Sequence, residues 1–257
     1  MRLCINKKSH YSASMILAMS NKQSSKQVVG AAAAEYVSDG MKLGLGTGST
    51  VAFFLEALAK RIADEGISVV GVCTSQQTEE HAAKLGIPTS TLAETPHLDL
   101  VVDGADEVDE SFRLIKGGGG ALLREKIVAA ASASVIIIVG EGKYVSKLGS
   151  SFLLPVEVLP FGYSSTKSQV AQKGGCTPYL RTIESGEPFV TDNGNYIFDC
   201  KFENGIDDPE ATHSILSQIA GVAEVGIFLN LCDLVLEADA EGNLVKHSTD
   251  YARNLFA

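Results

Sequence analysis

"MKLGLGTGSTVAFFLEALAKRIADEG" (41–66) joins a short apolar run to a glycine turn and then to an amphipathic stretch. Residues 41–46 read as a strand, and residues 49–66 carry apolar side chains at helical spacing up to a glycine stop. Upstream, "SSKQVVGAAAAEYVSDG" (24–40) reads as a helix that Ser24 or Ser25 can cap and Asp39-Gly40 ends. Downstream come a strand (67–73), a helix (75–86), a strand ending on acids (98–106), a helix (120–132) and a strand (134–140). The strands are continuous apolar runs alternating with helices, which implies a parallel sheet covered on both faces.

The pattern changes near residue 150. A strand (152–160), a helix (164–175), a strand (177–183), a turn and strand (192–202), a helix with Pro209 in its first turn (207–221) and a strand (222–229) follow. That order, β-α-β-β-α-β, is the split βαβ motif. Residues 233–247 read as a hairpin turning at Glu241-Gly242-Asn243 and returning to the first unit. The expected fold is α/β: an open, mostly parallel, Rossmann-like sheet with helices on both faces, plus an inserted ferredoxin-like α+β domain. The expected division is 24–149 together with 230–257 as one domain, 150–229 as the insert, and 1–23 as a disordered extension.

The formal net charge of −10 argues against a nucleic-acid partner, which needs a basic surface. It leaves room for a small anion in a local cationic pocket. No apolar run reaches the roughly 20 residues of a membrane span. The five cysteines include no CxxC pair and the five histidines show no ligand spacing, so reduced thiols are expected and a metal is not. Residues 1–23 hold Arg2, Lys7, Lys8, Lys22 and no acid. They read as a tail, as an early start ahead of Met15 or Met19, or as a weak transit peptide. A cytoplasmic location is expected, with organellar targeting by 1–23 as the alternative.

Three segments fall where an α/β sheet binds ligands, beyond the carboxyl ends of its strands. Gly46-Thr47-Gly48-Ser49-Thr50 opens a helix, and amides and hydroxyls there suit a phosphate. It matches neither GxxxxGK[ST] nor GxGxxG, and a plain turn with Ser49 as helix cap also fits. Asp103-Gly104-Ala105-Asp106 follows a buried strand, and its carboxylates suit sugar hydroxyls or, less well without histidines, a metal. Glu107, Asp109 and Glu110 read as a solvated loop. Lys116 precedes Gly117, Gly118, Gly119 and Gly120, a run whose amides can approach an oxyanion closely beside a point charge. Glu125 lies in the next helix, either as a base or as a surface residue paired four positions away. A phosphate clamp, hydroxyl-binding acids, an oxyanion site and a base together suit aldose–ketose isomerisation through an enediolate, with no cofactor.

In combination, "GLGTGST" (44–50), "VDGADEVD" (102–109), "KGGGGALLREK" (116–126), "LPVEVLP" (154–160) and "TDNGN" (191–195) make the chain resemble the A-type ribose-5-phosphate isomerase family, from about Lys26 to Val245. The resemblance implies interconversion of D-ribose 5-phosphate and D-ribulose 5-phosphate in the non-oxidative pentose phosphate pathway, without metal, by a homodimer or homotetramer. It implies that Thr47, Gly48, Ser49 and Thr50 grip the phosphate with Lys26, and that Lys143 binds substrate. Asp103 and Asp106, with Gly104 and Ala105 between them, would contact the sugar hydroxyls and help open the ring. Lys116, Gly117, Gly118 and Gly119 would surround the reacting carbonyl, and Glu125 would be the base. Gly120 departs from the family's frequent alanine, which implies a looser loop. Two other readings share this architecture: a sugar-phosphate sensor domain, for which 1–23 is too short to supply a DNA-binding motif, and an amino-sugar phosphate deaminase, which would release ammonia.

Overall fold

The computed structural model describes residues 25–239 and 241–248; the extension 1–23 and the tail after 248 lie outside them. The described chain begins with helix α1 (25–34). It continues through β1 (Lys42–Leu45), α2 (Ser49–Glu65), β2 (Val70–Cys73), α3 (Gln76–Lys84), β3 (Thr89–Ser90) and β4 (Leu100–Gly104). Then come β5 (Glu107–Val108), β6 (Leu114–Ile115), α4 (Leu122–Ala130) and β7 (Val135–Gly140). The middle of the chain supplies β8 (Leu154–Val158), α5 (Tyr163–Gly174), β9 (Thr177–Leu180), β10 (Tyr196–Lys201), α6 (Pro209–Ser217) and β11 (Val222–Val225). Last come β12 (Ile227–Phe228), β13 (Leu234–Ala238) and β14 (Leu244–Ser248).

Seven strands form one sheet in the order β14-β13-β7-β4-β1-β2-β3, parallel except for β14. Alternation along each strand divides its side chains between two cores. Leu100, Val102, Ile136, Ile138, Leu234 and Leu236 face α1, α2 and α3, whereas Val101, Val135, Ile137, Val139 and Val235 face α4. Helix α2 presents Val51, Phe54, Leu55 and Leu58, all essentially inaccessible, at the spacing of one helical face. Each such side chain stabilises the fold by roughly 1.5–3 kcal/mol on burial. Successive strands run outward from β1 to β2 and β3 on one side, and from β4 to β7 and β13 on the other. The order therefore reverses between β1 and β4, and a crevice opens at their carboxyl ends.

The second sheet has the order β11-β8-β10-β9, antiparallel throughout, with α5 and α6 on one face. With its β-α-β-β-α-β sequence this is the ferredoxin-like arrangement.

Several features differ from the sequence reading. The stretch 222–229 is not one strand. It splits at Gly226: β11 belongs to the four-stranded sheet, and β12 crosses to pair with β6 in a small third sheet, β12-β6-β5. A side chain at 226 would collide with the carbonyls of Lys116 and Pro155, 2.5 and 2.7 Å from the Cβ position, so the crossing needs glycine. Asp103 lies inside β4 rather than beyond its end. Glu107 and Asp109 are buried, and of the three acids assigned to a solvated loop only Glu110 is exposed. Glu107 accepts from the amides of Gly149 (2.5 Å), Ser151 (2.7 Å) and Phe152 (2.8 Å) and from the Ser151 hydroxyl (2.7 Å). Asp109 pairs with Arg113 at 2.7 Å. For Glu107, two residues of strand are too short to be read by period, and the partners that make its burial tolerable lie 42 to 45 residues away.

Removing a buried acceptor strands its donors. Glu107→Ala is expected to lower unfolding free energy by about 3 kcal/mol, while Glu110→Ala stays within about 0.5 kcal/mol of the parent. Urea titration of both variants measures this, and equal small losses would restore the solvated-loop reading.

Candidate active site

The crevice holds a cavity of about 430 Å³. Its walls come from the four segments the topology brings together: 47–50 after β1, 104–106 after β4, 116–119 with Glu125 of α4, and 138–143 from β7 and the turn beyond it. Ser25 and Lys26 of α1 close one side.

At the end nearest Lys26, α2 starts on Gly48, and no side chain caps it. Ser49 is therefore not the cap allowed by the sequence; its hydroxyl accepts from Lys26 Nζ at 2.8 Å. The first intrahelical bond runs from the Ala52 amide to the Gly48 carbonyl, so the amides before it remain available at the positive end of a 17-residue helix. Thr47 behaves differently from its neighbours. Its hydroxyl joins those of Thr74 (2.7 Å), Ser75 (2.8 Å) and Thr78 (3.2 Å), and its amide donates to Asp103 at 3.0 Å. Thr47 thus shapes the turn, whereas Ser49, Thr50 and Lys26 face the space beside it.

At the other end, Lys116 is 3% exposed. Its ammonium lies 3.0 Å from Asp103 Oδ2 and 3.3 Å from Glu125 Oε1, donates to the Gly104 carbonyl and sits 5.5 Å from the centre of the Phe228 ring. Burial alone would lower the lysine pKa, but Asp103 and Glu125 outweigh it and hold the group above its ordinary value. Glu125 shares the buried stripe of α4 with Leu122, Val128 and Ala129. Burial, then the Asp103 charge, push its carboxyl up to about 8 against the opposing pull of Lys116. Its Oε1 faces Lys116, and its Oε2 has no hydrogen-bond partner. The reading of Glu125 as a surface residue with a local ion pair is therefore wrong.

Asp103 and Asp106 separate. Asp103 is 3% exposed; its Oδ1 accepts from the Thr47 and Gly104 amides and its Oδ2 meets Lys116, so it braces the site from behind. Asp106 lines the cavity and accepts from the Gly118 amide at 2.8 Å. Lys143 also lines the cavity, 5.7 Å from the Phe152 ring centre. Gly120 is not in a loosened loop. It has φ +83°, its amide closes a turn onto the Gly117 carbonyl, and a Cβ would sit 2.6 Å from Phe189. Sequence reasoning missed Glu141 and Ser25 on the wall, and Arg181 and Phe189 behind the glycine turn. The motif TDNGN, and Glu157 of LPVEVLP, on which the hydroxyl of Thr191 and the side-chain amides of Asn193 and Asn195 converge, were the available signals that the second sheet belongs to the site's support. Among the described residues no group of three or more His, Cys, Asp or Glu side chains is arranged to hold a metal. Cys73, Cys176, Cys200 and Cys232 are free thiols.

Comparison with known proteins adds an independent observation. A family model described as "Ribose 5-phosphate isomerase A (phosphoriboisomerase A)" matches residues 70–242. The chain is 47% identical over 222 residues to ribose-5-phosphate isomerase A of Enterococcus faecalis, covering 86% of this chain and 97% of that protein. It is 52% identical over 206 residues to the enzyme of the same name from Bacillus anthracis, covering 80% and 92%. Among solved structures, ribose 5-phosphate isomerase from Plasmodium falciparum superposes with a TM-score of 0.86 at 38% identity, covering 89% of this chain and 100% of that one. A D-ribose-5-phosphate isomerase in complex with phospho-erythronic acid superposes with a TM-score of 0.83 at 37% identity, covering 87% and 97%.

A carboxyl that holds its proton in the folded state after the unfolded chain has lost it makes stability fall as pH rises. For Glu125 that window runs from the ordinary value of 4.5 toward about 8. Relative to Glu125→Gln, the parent is expected to lose stability steadily from pH 5 to pH 8 in urea titrations. Any activity that needs the ionised carboxylate should rise across the same window. A flat stability difference would mean that the buried carboxyl is already ionised at pH 5.

Proposed function

The chain belongs to the ribose 5-phosphate isomerase A family, and we propose that the cavity at the β1/β4 crevice is where its reaction takes place, with Glu125 as the proton carrier. The protein interconverts D-ribose 5-phosphate and D-ribulose 5-phosphate. The observation that carries the proposal is the unpaired, buried Oε2 of Glu125, on a carboxyl that lines the cavity and touches Lys116.

Substrate phosphate sits at the open N-terminus of α2, held by its free amides, Ser49, Thr50 and Lys26. Lys143 approaches the chain of hydroxyls from the opposite wall. Ionised Glu125 removes the proton from C2 of the open-chain aldose. The C–H electron pair becomes the C1=C2 bond, and the carbonyl π pair moves onto O1. The resulting enediolate is held by the Lys116 ammonium and by the amides of the glycine turn, donors fixed before the charge appears. Glu125 then returns its proton to C1, O2 becomes the carbonyl oxygen, and the O2 hydroxyl proton is transferred to O1, with Asp106 beside it as orienting acceptor. Asp103 does not reach the sugar in this scheme; it keeps Lys116 in place. Burial serves the chemistry directly, because a carboxylate deprived of water is a stronger base toward carbon.

The same proposal takes residues 24–149 and 230–257 as the catalytic unit and 150–229 as an inserted unit, in a homodimer or homotetramer; light scattering tests the assembly. Among the described residues no helix is long and apolar enough to cross a membrane.

Glu125→Gln should lower turnover by at least about 10²–10⁴-fold while leaving substrate binding nearly unchanged. Parent protein incubated with ribose 5-phosphate in deuterated water and a chelator should form ketose with solvent deuterium at the transferred position. Near-normal turnover in the variant would remove Glu125 from its role.

A further inference from the structure

The glycine turn has no side chains with which to hold itself, yet its amides are asked to meet a transient anion. Its support comes from the second sheet. Arg181, just beyond β9, lies outside the cavity wall and donates from one guanidinium nitrogen to the carbonyls of both Gly117 (2.9 Å) and Gly118 (3.1 Å). Its other two nitrogens form a fork on Asp199 of β10, at 3.0 and 2.5 Å. Phe189 lies 5.8 Å from the same guanidinium and fills the space beside Gly120, and its amide donates to the Arg181 carbonyl.

In a trans peptide the carbonyl and the next amide point in opposite directions. All peptides among the described residues are trans. Fixing the Gly117 and Gly118 carbonyls on Arg181 therefore turns the amides of Gly118 and Gly119 toward the cavity side. The Gly118 amide meets Asp106 there, and the Gly119 amide, on the cavity wall, donates to no described group. Without Arg181 the Gly117–Gly118 plane still has the Gly120 amide on its carbonyl and Asp106 on its amide, but the Gly118–Gly119 plane loses the bond that fixes its carbonyl, and glycines resist its rotation little. We infer that Arg181, anchored by Asp199, is a positioning residue of the isomerase that holds the Gly117–Gly119 peptides with the Gly119 amide aimed at the enediolate. This rests on the proposed use of the cavity and adds the second sheet to the catalytic apparatus.

An amide aimed at charge that exists only in the transition state affects kcat rather than KM. Arg181→Ala is therefore expected to lower kcat by about 10–10²-fold with KM for ribose 5-phosphate within about threefold of the parent. Inhibition by phospho-erythronate, whose carboxylate carries its negative charge on two oxygens as the enediolate does, should weaken at least about tenfold, while inhibition by inorganic phosphate stays within about twofold. Added guanidinium ion at millimolar concentration should restore part of the lost kcat. Lys201→Ala, which breaks an exposed ion pair on the same sheet, should match the parent throughout. A folded Arg181→Ala protein with parental kcat, or one that loses phosphate inhibition in the same proportion as kcat, would overturn the inference. Should that variant not fold, Arg181→Lys decides, since it keeps the charge but not the fork. A kcat loss of about tenfold or more with KM kept supports the inference, and a parental kcat overturns it. Glu125→Gln assayed in parallel separates the two ideas: if it is inactive while both Arg181 variants are normal, only the positioning role fails.

Discussion

One buried cation serves two carboxylates. Lys116 lies between Asp103 and Glu125, all three nearly inaccessible, and the charges do not balance. Asp103 makes the closer contact and also accepts two backbone amides, so it holds the cation more firmly. Glu125 is left with a weaker share of the cation and an oxygen with no partner. Burial first, and then the charge of Asp103, raise the affinity of Glu125 for a proton. Asp103 thus raises the proton affinity of Glu125 without itself lining the cavity.

The fold supplies this triad from three separate elements. Asp103 comes from within β4, Glu125 from the inward stripe of α4, and Lys116 from the chain between β6 and the glycine turn. The third sheet fixes Lys116, because its amide donates to the Gly226 carbonyl at 2.9 Å, at the point where the chain crosses between sheets. Lys126, one turn-side neighbour of Glu125, fastens the other side of α4 to the Val225 and Ile227 carbonyls (2.6 and 2.9 Å) and to Glu224 (2.7 Å). Arg124, on the remaining side, reaches Asn193 and the Asp192 carbonyl, both at 2.9 Å. The helix carrying Glu125 is therefore gripped by the second sheet and its connections. A sheet that shares no strand with the large one, with its connections, thus holds α4 at two of its side chains.

Packing explains why a site so charged is tolerated. Polar groups withdrawn from water must find partners. Glu107 gathers four donors, and Glu157 three on one oxygen while its Oε2 has no partner, each carboxylate ordering a loop that no regular ladder reaches. These knots lie around the site rather than in it. They make the loops 149–152 and 191–195 parts of a rigid frame, which suits a reaction that depends on fixed dipoles rather than on closure of a lid.

Sequence by itself determined the alternation of strands and helices, the parallel sheet, the β-α-β-β-α-β order of the middle of the chain and the segments that meet at the crevice. These follow from local period, from glycine stops and from the rule that ligands collect beyond strand ends, all of which are written in neighbouring residues. The same was true of Glu125 as a candidate, through its place in the motif, though spacing alone left it as easily a surface residue. Tertiary structure alone decided that Asp103 faces inward and Asp106 outward, that Thr47 joins a buried hydroxyl network, that Glu107 and Asp109 are buried, and that Arg181 reaches the glycine turn from 63 and 64 residues away. The physical reason is common to all but Asp109, whose partners Ser111 and Arg113 are near neighbours along the chain. The fate of a polar side chain is set by the donors and acceptors that surround it after folding, and those come from strands and loops whose distance along the chain carries no local signal.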